Sequence, residues 1–177
     1  MTRSPVVSIA TVARSGAIAR QAAGGDMQVR KDEPTNPALA ALLDAHVAEQ
    51  RANTPPGFSF ALDAGGLATP DVTFWSAWDG ETPIGMGALR ALDTHSGEVK
   101  SMRAVEAWRG RGVGHAMLDA IVAEARRRGY ARLYLETGTT ADYAPALSLY
   151  RRAGFVACAP FADYAASPHN QFLMLNL

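Results

Sequence analysis

The stretch Arg109-Gly110-Arg111-Gly112-Val113-Gly114 decides the fold of this chain. It follows an apolar-rich segment, residues 99–105, and it opens a segment in which apolar residues recur with the period of an amphipathic helix. Free backbone N–H groups at a helix start, together with the helix dipole, favour binding of a phosphate group. Glycines allow such a group to approach the backbone closely, because they carry no side chain. The pattern therefore predicts a strand, a phosphate-binding turn and a helix.

Three glycine-rich patterns can be compared with this stretch. A P-loop has a lysine and a hydroxyl residue after its last glycine, whereas Gly114 is followed by His115. A dinucleotide-binding pattern that starts at Gly112 requires a glycine where the chain has Met117. The pattern Arg/Gln-x-x-Gly-x-Gly/Ala is matched from Arg109 onward, and it resembles the acetyl-CoA loop of the GNAT superfamily of N-acetyltransferases. A solvated turn without a ligand is the remaining alternative.

A second match lies between Ala146 and Phe155, where the sequence is Ala-Leu-Ser-Leu-Tyr-Arg-Arg-Ala-Gly-Phe. It resembles the second signature of the same superfamily, a helix with Ala-x-x-x-Tyr followed by Gly-Phe at the start of a strand. The resemblance covers residues 70–177. It implies an α/β (α+β) protein in which a mixed, mostly antiparallel central sheet is flanked by helices, the GNAT-like acyl-CoA N-acyltransferase fold.

Four shorter segments narrow the resemblance to a small bacterial subfamily whose members are named as N-acetyltransferases. The segments are Phe74–Trp78, Glu98–Arg103, Leu135–Gly138 and Pro160–Tyr164. The resemblance implies an acetyl-CoA-dependent acyltransferase, a transferase that uses acetyl-CoA as co-substrate and needs no metal.

Composition limits the class of partner. The 177 residues are 48% apolar and carry a formal net charge of zero, which suits an ordinary globular protein. The sequence has no basic stripe interleaved with aromatic residues, so nucleic-acid binding is disfavoured. It also has no apolar run near the roughly 20 residues of a membrane span. We expect a cytoplasmic protein that acts on a small molecule, without nucleic acid or membrane, as a monomer or homodimer.

Cysteine and histidine usage gives further limits. The single cysteine, Cys158, excludes an intrachain disulfide and favours a buried structural thiol. The four histidines include no close metal-spaced pair, so no metal site is expected. His46 is expected to pack on an apolar helix face, whereas His115 is expected beside the phosphates and His169 near the acceptor.

Residues 1–26 differ from the rest of the chain, because they contain three arginines and no acidic residue before Asp26. A transit peptide and a translation start that lies further along the chain are two interpretations of this composition. We expect a disordered N-terminal extension at 1–26 and the GNAT N-acetyltransferase domain at 27–177.

The remaining patterns predict the order of elements. A first helix begins at Asn36-Pro37, and residues 53–71 are expected to form a loop with one short helix around 58–62. Two further helices are expected at 112–128 and 143–153. Strands are expected at 27–31, 72–78, 83–92, 97–105, 131–137, 155–159 and 171–176.

The resemblance assigns the groups that bind acetyl-CoA. Backbone N–H groups across Arg109–His115, that is Arg109, Gly110, Arg111, Gly112, Val113, Gly114 and His115, are expected to hold the pyrophosphate. Main-chain groups of Met102, Arg103 and Ala104 are expected to pair with the pantetheine arm, and one N–H group to polarise the thioester carbonyl. Tyr143 stands where the family usually has an asparagine that bonds the pantetheine.

The resemblance and the strand pattern also suggest an acid and a base. Tyr150 matches the family tyrosine near the CoA sulfur, and a phenol with a pKa of about 10 can protonate a thiolate at neutral pH. Glu98 is the first candidate base, on the same strand face as Lys100. Glu136 on the neighbouring strand and a water molecule are the alternatives, and a structural Glu98–Lys100 ion pair is the competing explanation for Glu98.

These expectations together describe one reaction. The chain is expected to move the acetyl group of acetyl-CoA to a primary amine of a small acceptor, by direct attack in a ternary complex. The acceptor would enter between residues 54–62 and the strands that carry Glu98 and Glu136. A non-catalytic acyl-CoA-binding sensor is the alternative.

Overall fold

Eight strands of this chain form a single sheet in the computed structural model, which describes residues 18–19, 27–55 and 60–177. The strands are β1 (Ile18–Ala19), β2 (Met27–Asp32), β3 (Val72–Asp79), β4 (Thr82–Ala91), β5 (Ser96–Ala104), β6 (Arg132–Gly138), β7 (Val156–Ala157) and β8 (Asn170–Asn176). Their order across the sheet is β1-β2-β3-β4-β5-β6-β8-β7. Every neighbouring pair is antiparallel except β5 with β6. The mixed, mostly antiparallel sheet expected from the sequence is confirmed.

Four helices flank the sheet: α1 (Ala40–Ala52), α2 (Ala64–Leu67), α3 (Val113–Arg127) and α4 (Ala144–Arg152). Short 3-10 turns at Pro37–Leu39, Glu106–Trp108 and Ala141–Tyr143 precede three of them. Asn36 caps the first turn, because its side-chain oxygen accepts from the Ala38 N–H at 3.1 Å. None of the helices in the described ranges is both long and apolar enough to cross a membrane.

Two hydrophobic clusters lie on opposite faces of the sheet. On one face α3 buries Val113, Met117, Ile121 and Ala125, spaced by one helical turn, against the central strands. On the other face α1 and α2 cover β3 and β4 with a leucine-rich cluster, which consists of Leu39, Leu42, Leu43, Leu67, Phe74, Trp78, Met86 and Ala88. The central strands are therefore buried on both sides.

The parallel pair β5–β6 separates after three residues. Ser96, Gly97 and Glu98 pair with Arg132, Leu133 and Tyr134, and no pairing continues beyond them. Both strands run on, β5 to Ala104 and β6 to Gly138. The two strands thus leave a cleft between their C-terminal halves, with unpaired β5 backbone along one side.

Two predicted elements differ from the structure. The short helix in the 53–71 loop lies at Ala64–Leu67. Of the range 58–62 where it was expected, residues 60–62 are not helical and residues 58–59 lie outside the described residues. The helix begins at Ala64 because Asp63 accepts from the Gly66 N–H at 2.9 Å. The strand expected at 155–159 is limited to Val156–Ala157, because the Phe155 N–H donates to the Tyr150 carbonyl and so closes α4.

The expectation of a disordered segment at 1–26 falls almost wholly on residues outside the described ranges. Ile18–Ala19 is the exception, since it forms β1 and pairs with Val29 and Gln28. The strand expected at 27–31 is present as β2.

Candidate active site

The cleft between β5 and β6 contains a cavity of about 100 Å³. Four parts of the chain contribute to its wall: α1 with the loop after it, β5, the end of β6 with α4, and the segment before β8. The lining residues are His46, Gln50, Thr54, Phe60, Ala61, Val99, Lys100, Ser101, Met102, Glu136, Thr137, Gly138, Tyr143, Ala146, Tyr150 and His169. No group of three His, Cys, Asp or Glu side chains in the described ranges could hold a metal ion.

The glycine-rich turn has the geometry that its sequence predicts. Gly110 and Gly112 have φ angles of 75° and 90°, a region that favours glycine. Gly112 is the N-cap of α3, and no side chain caps that end of the helix. The N–H groups of Val113 and Gly114 belong to the first turn, where an α-helix has no internal acceptors for them. This end of α3 is therefore suited to a phosphate group.

Two N–H groups of the turn are already used. The Arg109 N–H donates to the Glu106 carbonyl at 3.1 Å, and the Arg111 N–H donates to the Trp108 carbonyl at 3.3 Å. Of the backbone groups predicted to hold a pyrophosphate, those of Gly110 and of Gly112–His115 remain available. The structure therefore leaves fewer N–H groups free to bind a pyrophosphate than the seven expected across Arg109–His115, since those of Arg109 and Arg111 are used within the turn.

A carboxylate on α1 holds two of the arginines that the sequence singles out. Glu49 accepts from Arg103 at one oxygen and from Arg109 at the other, the second contact at 3.2 Å. Burial raises the pKa of Glu49, but the hydrogen bond and charge of Arg103 outweigh it and leave that pKa below its usual value. Glu49 thus links α1 to both β5 and the phosphate turn. Sequence analysis missed this role, because Arg103 and Arg109 lie 54 and 60 residues after Glu49 in the chain.

An irregularity in β5 aims its backbone at the cleft. Between the pairs Met86–Arg103 and Ala88–Lys100, two residues of β5 lie opposite one residue of β4. Ser101 within this bulge has a φ of 53°, which is uncommon for a residue with a side chain. Bulges change the direction of backbone groups, and both residues of this bulge, Ser101 and Met102, line the cavity.

Tyr150, the candidate acid, lies on α4 and lines the cavity. Its side chain extends from α4 to the cavity wall and is only 6% exposed. Its ring centroid is 5.7 Å from that of Phe155, the residue that follows α4. Burial raises the pKa of the Tyr150 hydroxyl, so the group carries its proton at neutral pH.

Glu98, the first candidate base, does not line the cavity. Its side chain is 1% exposed and accepts from Tyr164 Oη at 2.5 Å and from Lys100 Nζ at 3.1 Å. The structural Glu98–Lys100 ion pair considered as its competing explanation is therefore present. This arrangement favours a supporting role for Glu98 over direct contact with an amine.

Glu136 has the placement expected of a base. Its carboxylate lies on the cavity wall, two residues before the end of β6. Burial is the main cause that raises its pKa to about 7, and the charge of Glu98 adds to that effect, whereas Lys100 opposes it. A carboxyl group with a pKa near 7 both accepts and releases a proton easily at neutral pH.

The helix α1 brings polar groups that sequence analysis did not assign to the site. His46 and Gln50 lie one helical turn apart and both line the cavity. Burial, with the charge of Arg103, lowers the pKa of His46 to about 4, so its imidazole is neutral. The Tyr143 hydroxyl donates to Gln50 Oε1 at 2.7 Å and so joins α1 to the start of α4. The i, i+4 spacing of His46 and Gln50 was the only signal in the sequence.

Known proteins share this architecture and sequence. The model of the acetyltransferase (GNAT) family matches residues 39–155. The protein called "Uncharacterized N-acetyltransferase YedL" from Escherichia coli (strain K12) is 44% identical over 149 residues, 84% of this chain and 94% of the relative. "Uncharacterized N-acetyltransferase YsnE" from Bacillus subtilis (strain 168) is 41% identical over 151 residues, 85% of this chain and all of the relative.

Solved structures agree with these relatives. A crystal structure described as an acyl-CoA N-acyltransferase from Klebsiella pneumoniae superimposes with a TM-score of 0.69 and 27% identity. The superposition covers 85% of this chain and 97% of that structure.

Proposed function

Because the chain belongs to the acetyltransferase (GNAT) family, whose members use acetyl-CoA, we propose that it transfers the acetyl group to a primary amine of a small acceptor by direct attack in a ternary complex. The observation that carries the proposal is the cleft between β5 and β6, where Glu136 and Tyr150 line one cavity beside the bulged backbone of β5. The cavity volume of about 100 Å³ supports a small acceptor.

Acetyl-CoA enters this scheme as the donor substrate. Its pyrophosphate binds at the N-terminus of α3, through the N–H groups of Gly110 and of Gly112–His115. Its pantetheine arm pairs with the free β5 edge at Met102–Ala104, in the manner of an added strand. Tyr143 packs its ring against Gly138 at the end of β6, and both residues line the cavity.

Proton transfers accompany the formation of the amide. Glu136 accepts one proton from the acceptor ammonium, which leaves a nucleophilic amine. The amine nitrogen attacks the thioester carbon, so a C–N bond forms and the C–S bond breaks. Tyr150 gives its proton to the leaving sulfur and recovers the second proton that the nitrogen loses. Because burial raises the pKa of Tyr150, a lasting phenolate is unfavourable and the two transfers are coupled.

The position of the single cysteine favours direct attack. Cys158 follows β7 and is not among the residues that line the cavity. Burial raises the pKa of its thiol, which disfavours the thiolate needed for an acyl-cysteine route. Transfer through a covalent enzyme intermediate on cysteine therefore has no support.

The test is a panel of small primary amines with acetyl-CoA, in which the N-acetyl product is detected by mass spectrometry. With a responsive amine, initial rates at varied concentrations of both substrates should give intersecting double-reciprocal lines. Parallel lines would contradict a ternary complex, and absence of product with every amine would favour a sensor. Glu136→Gln should lower kcat/KM by about 100-fold or more, the usual contribution of a general base.

A further inference from the structure

Three polar side chains form a hydrogen-bonded unit at the edge of the cavity. Tyr164 Oη donates to Glu98 Oε1 at 2.5 Å, while Lys100 Nζ lies 3.1 Å from the same oxygen and 2.7 Å from Tyr164 Oη. Glu98 is 1% exposed and Lys100 is 9% exposed, so both charges are held away from bulk water. We call these residues the Lys100–Glu98–Tyr164 unit.

Strand register brings this unit to Glu136. Glu98 lies opposite Tyr134 across the β5–β6 pair, and Lys100 and Glu136 are each two residues further along their strands. Side chains two residues apart share one face of a strand, so Glu98, Lys100 and Glu136 lie on the same side of the sheet. Phe172 is opposite Glu136 on β8, and its ring lies 5.9 Å from that of Tyr164, on that same side.

One buried oxygen of this unit has no structural use. Glu98 Oε2 is buried and has no hydrogen-bond partner among the described residues. A carboxylate that serves only to bridge neighbours normally satisfies both oxygens when it is buried. Glu98 Oε2 is thus left without a hydrogen-bond partner in the part of the interior that the structure describes, and the Glu98 charge can act electrostatically on nearby groups.

We propose that Glu98 and Lys100 are positioning residues that act with opposite sign on the proton of Glu136. The Glu98 carboxylate keeps the proton on Glu136, because two negative charges close together are unfavourable. The Lys100 ammonium favours release of that proton. Tyr164 holds the two charges in register through its hydroxyl. The consequence for catalysis rests on the proposed function, in which Glu136 is the base.

The directions of the pKa shifts agree with this geometry. Burial is the largest cause that raises the pKa of Glu136, Lys100 lowers it and Glu98 raises it. The charge of Glu136 also contributes to raising the pKa of Tyr164, as does the charge of Glu98, although burial contributes most. Glu136 is thus sensitive to the charges of Glu98 and Lys100, and Tyr164 is sensitive to the charges of both glutamates.

The other polar groups around the cavity differ from Glu98 and Lys100 in charge or in position. From α1, His46 faces the cavity as a neutral imidazole, because burial lowers its pKa to about 4. From the segment before β8, His169 lines the wall, and from the region of α4 the side chains of Tyr143 and Tyr150 do so. On β4, Arg90 is paired with a carboxylate, that of Asp71, at 3.0 Å. The experiment therefore has to record the carboxyl group of Glu136 directly.

The experiment measures the ionisation of Glu136 itself. The full chain is labelled with [5-¹³C]glutamate, the Glu136 carboxyl signal is assigned by its loss in Glu136→Gln, and its midpoint is recorded against pH. Glu98→Gln should move the midpoint down by about one pH unit, since a nearby like charge is removed. Lys100→Gln should move it up by about one pH unit, since a nearby opposite charge is removed. Lys31→Gln is the matched control, because Lys31 forms its ion pair with Glu124 of α3. This variant should leave the Glu136 midpoint unchanged.

The two variants give independent signs, so one of them suffices if the other folds poorly. A Glu136 midpoint that stays constant, or that moves the same way in both variants, would overturn the inference. If Glu136→Gln retains full activity while the midpoints move as expected, the inference stands and the assignment of Glu136 as the base fails. The low-pH limb of kcat/KM should follow the midpoints if both are right.

Discussion

Replacement of Gly112 by alanine tests whether the turn before α3 binds acetyl-CoA. Gly112 has a φ of 90°, and an added Cβ would meet no atom within 4 Å. The substitution therefore introduces no clash, and its cost is conformational. A left-handed backbone costs a residue with a side chain about 1–2 kcal/mol relative to glycine. A variant free to relax would leave this conformation when no ligand is bound.

That relaxation predicts the loss of affinity. The binding-competent turn must be restored when the pyrophosphate binds, so about 1–2 kcal/mol is taken from the binding free energy. This corresponds to acetyl-CoA binding that is about 5- to 30-fold weaker, since 1.4 kcal/mol is a factor of ten. Calorimetric titration with acetyl-CoA measures the dissociation constant directly.

Gly80→Ala is the matched control. Gly80 has a φ of 57° in the β3–β4 turn, and its Cβ would also meet nothing within 4 Å. Gly80→Ala should lose about 1–2 kcal/mol of stability, a drop in Tm of about 2–8 °C, whereas Gly112→Ala should lose less stability, because its turn relaxes when no ligand is bound. Only Gly112→Ala should lose affinity. Equal affinities in the two variants would refute the assignment of the turn as the pyrophosphate site.

Three further outcomes follow from the structure. Tyr150→Phe should lower kcat with little change in the dissociation constant of acetyl-CoA, and a matching loss of affinity would contradict its role in proton transfer. Gly138→Ala should displace the Tyr143 ring at the cavity wall, because the added Cβ would clash with that ring, and so should raise the KM for acetyl-CoA; a KM equal to that of the parent would argue against a binding site there. The pKa of Glu124 is lowered to about 2, chiefly by the hydrogen bond that Arg127 donates to it. Ionised Glu124 therefore stabilises the folded state above pH 4.5, the pKa of the carboxyl group in the unfolded chain. This contribution disappears as the pH falls towards 2. Denaturant unfolding should thus show Glu124→Gln less stable than the parent at pH 7 and the difference shrinking below pH 4.5; a difference independent of pH would contradict it.

Local sequence signals account for most of the observed elements. The helix expected at 112–128 is found at Val113–Arg127, with Gly112 before it and Gly129 after it at a φ of 75°. These signals act between neighbours: apolar residues one turn apart, glycine at positive φ and proline at the start of a helix. The short helix at Ala64–Leu67 was missed, because Ala-Gly-Gly-Leu has poor helix propensity and depends on Asp63 and on burial of Leu67 in the cluster under α1.

The residues of the candidate site also fall into two groups, those that a local sequence pattern predicts and those whose role depends on tertiary packing. The order of residues alone specifies the glycine turn and the tyrosine of α4, because each belongs to a contiguous pattern whose geometry is local. It does not distinguish Glu98 from Glu136, since each is a glutamate on a strand beside the cleft. Tertiary packing gives them different surroundings: Lys100 and Tyr164, the latter 66 residues away, bind Glu98 in the interior, whereas Glu136 lines the cavity where the two strands separate. The acidity of a carboxyl group depends on burial and on charges within a few ångströms, and those neighbours are assembled only when distant parts of the chain meet.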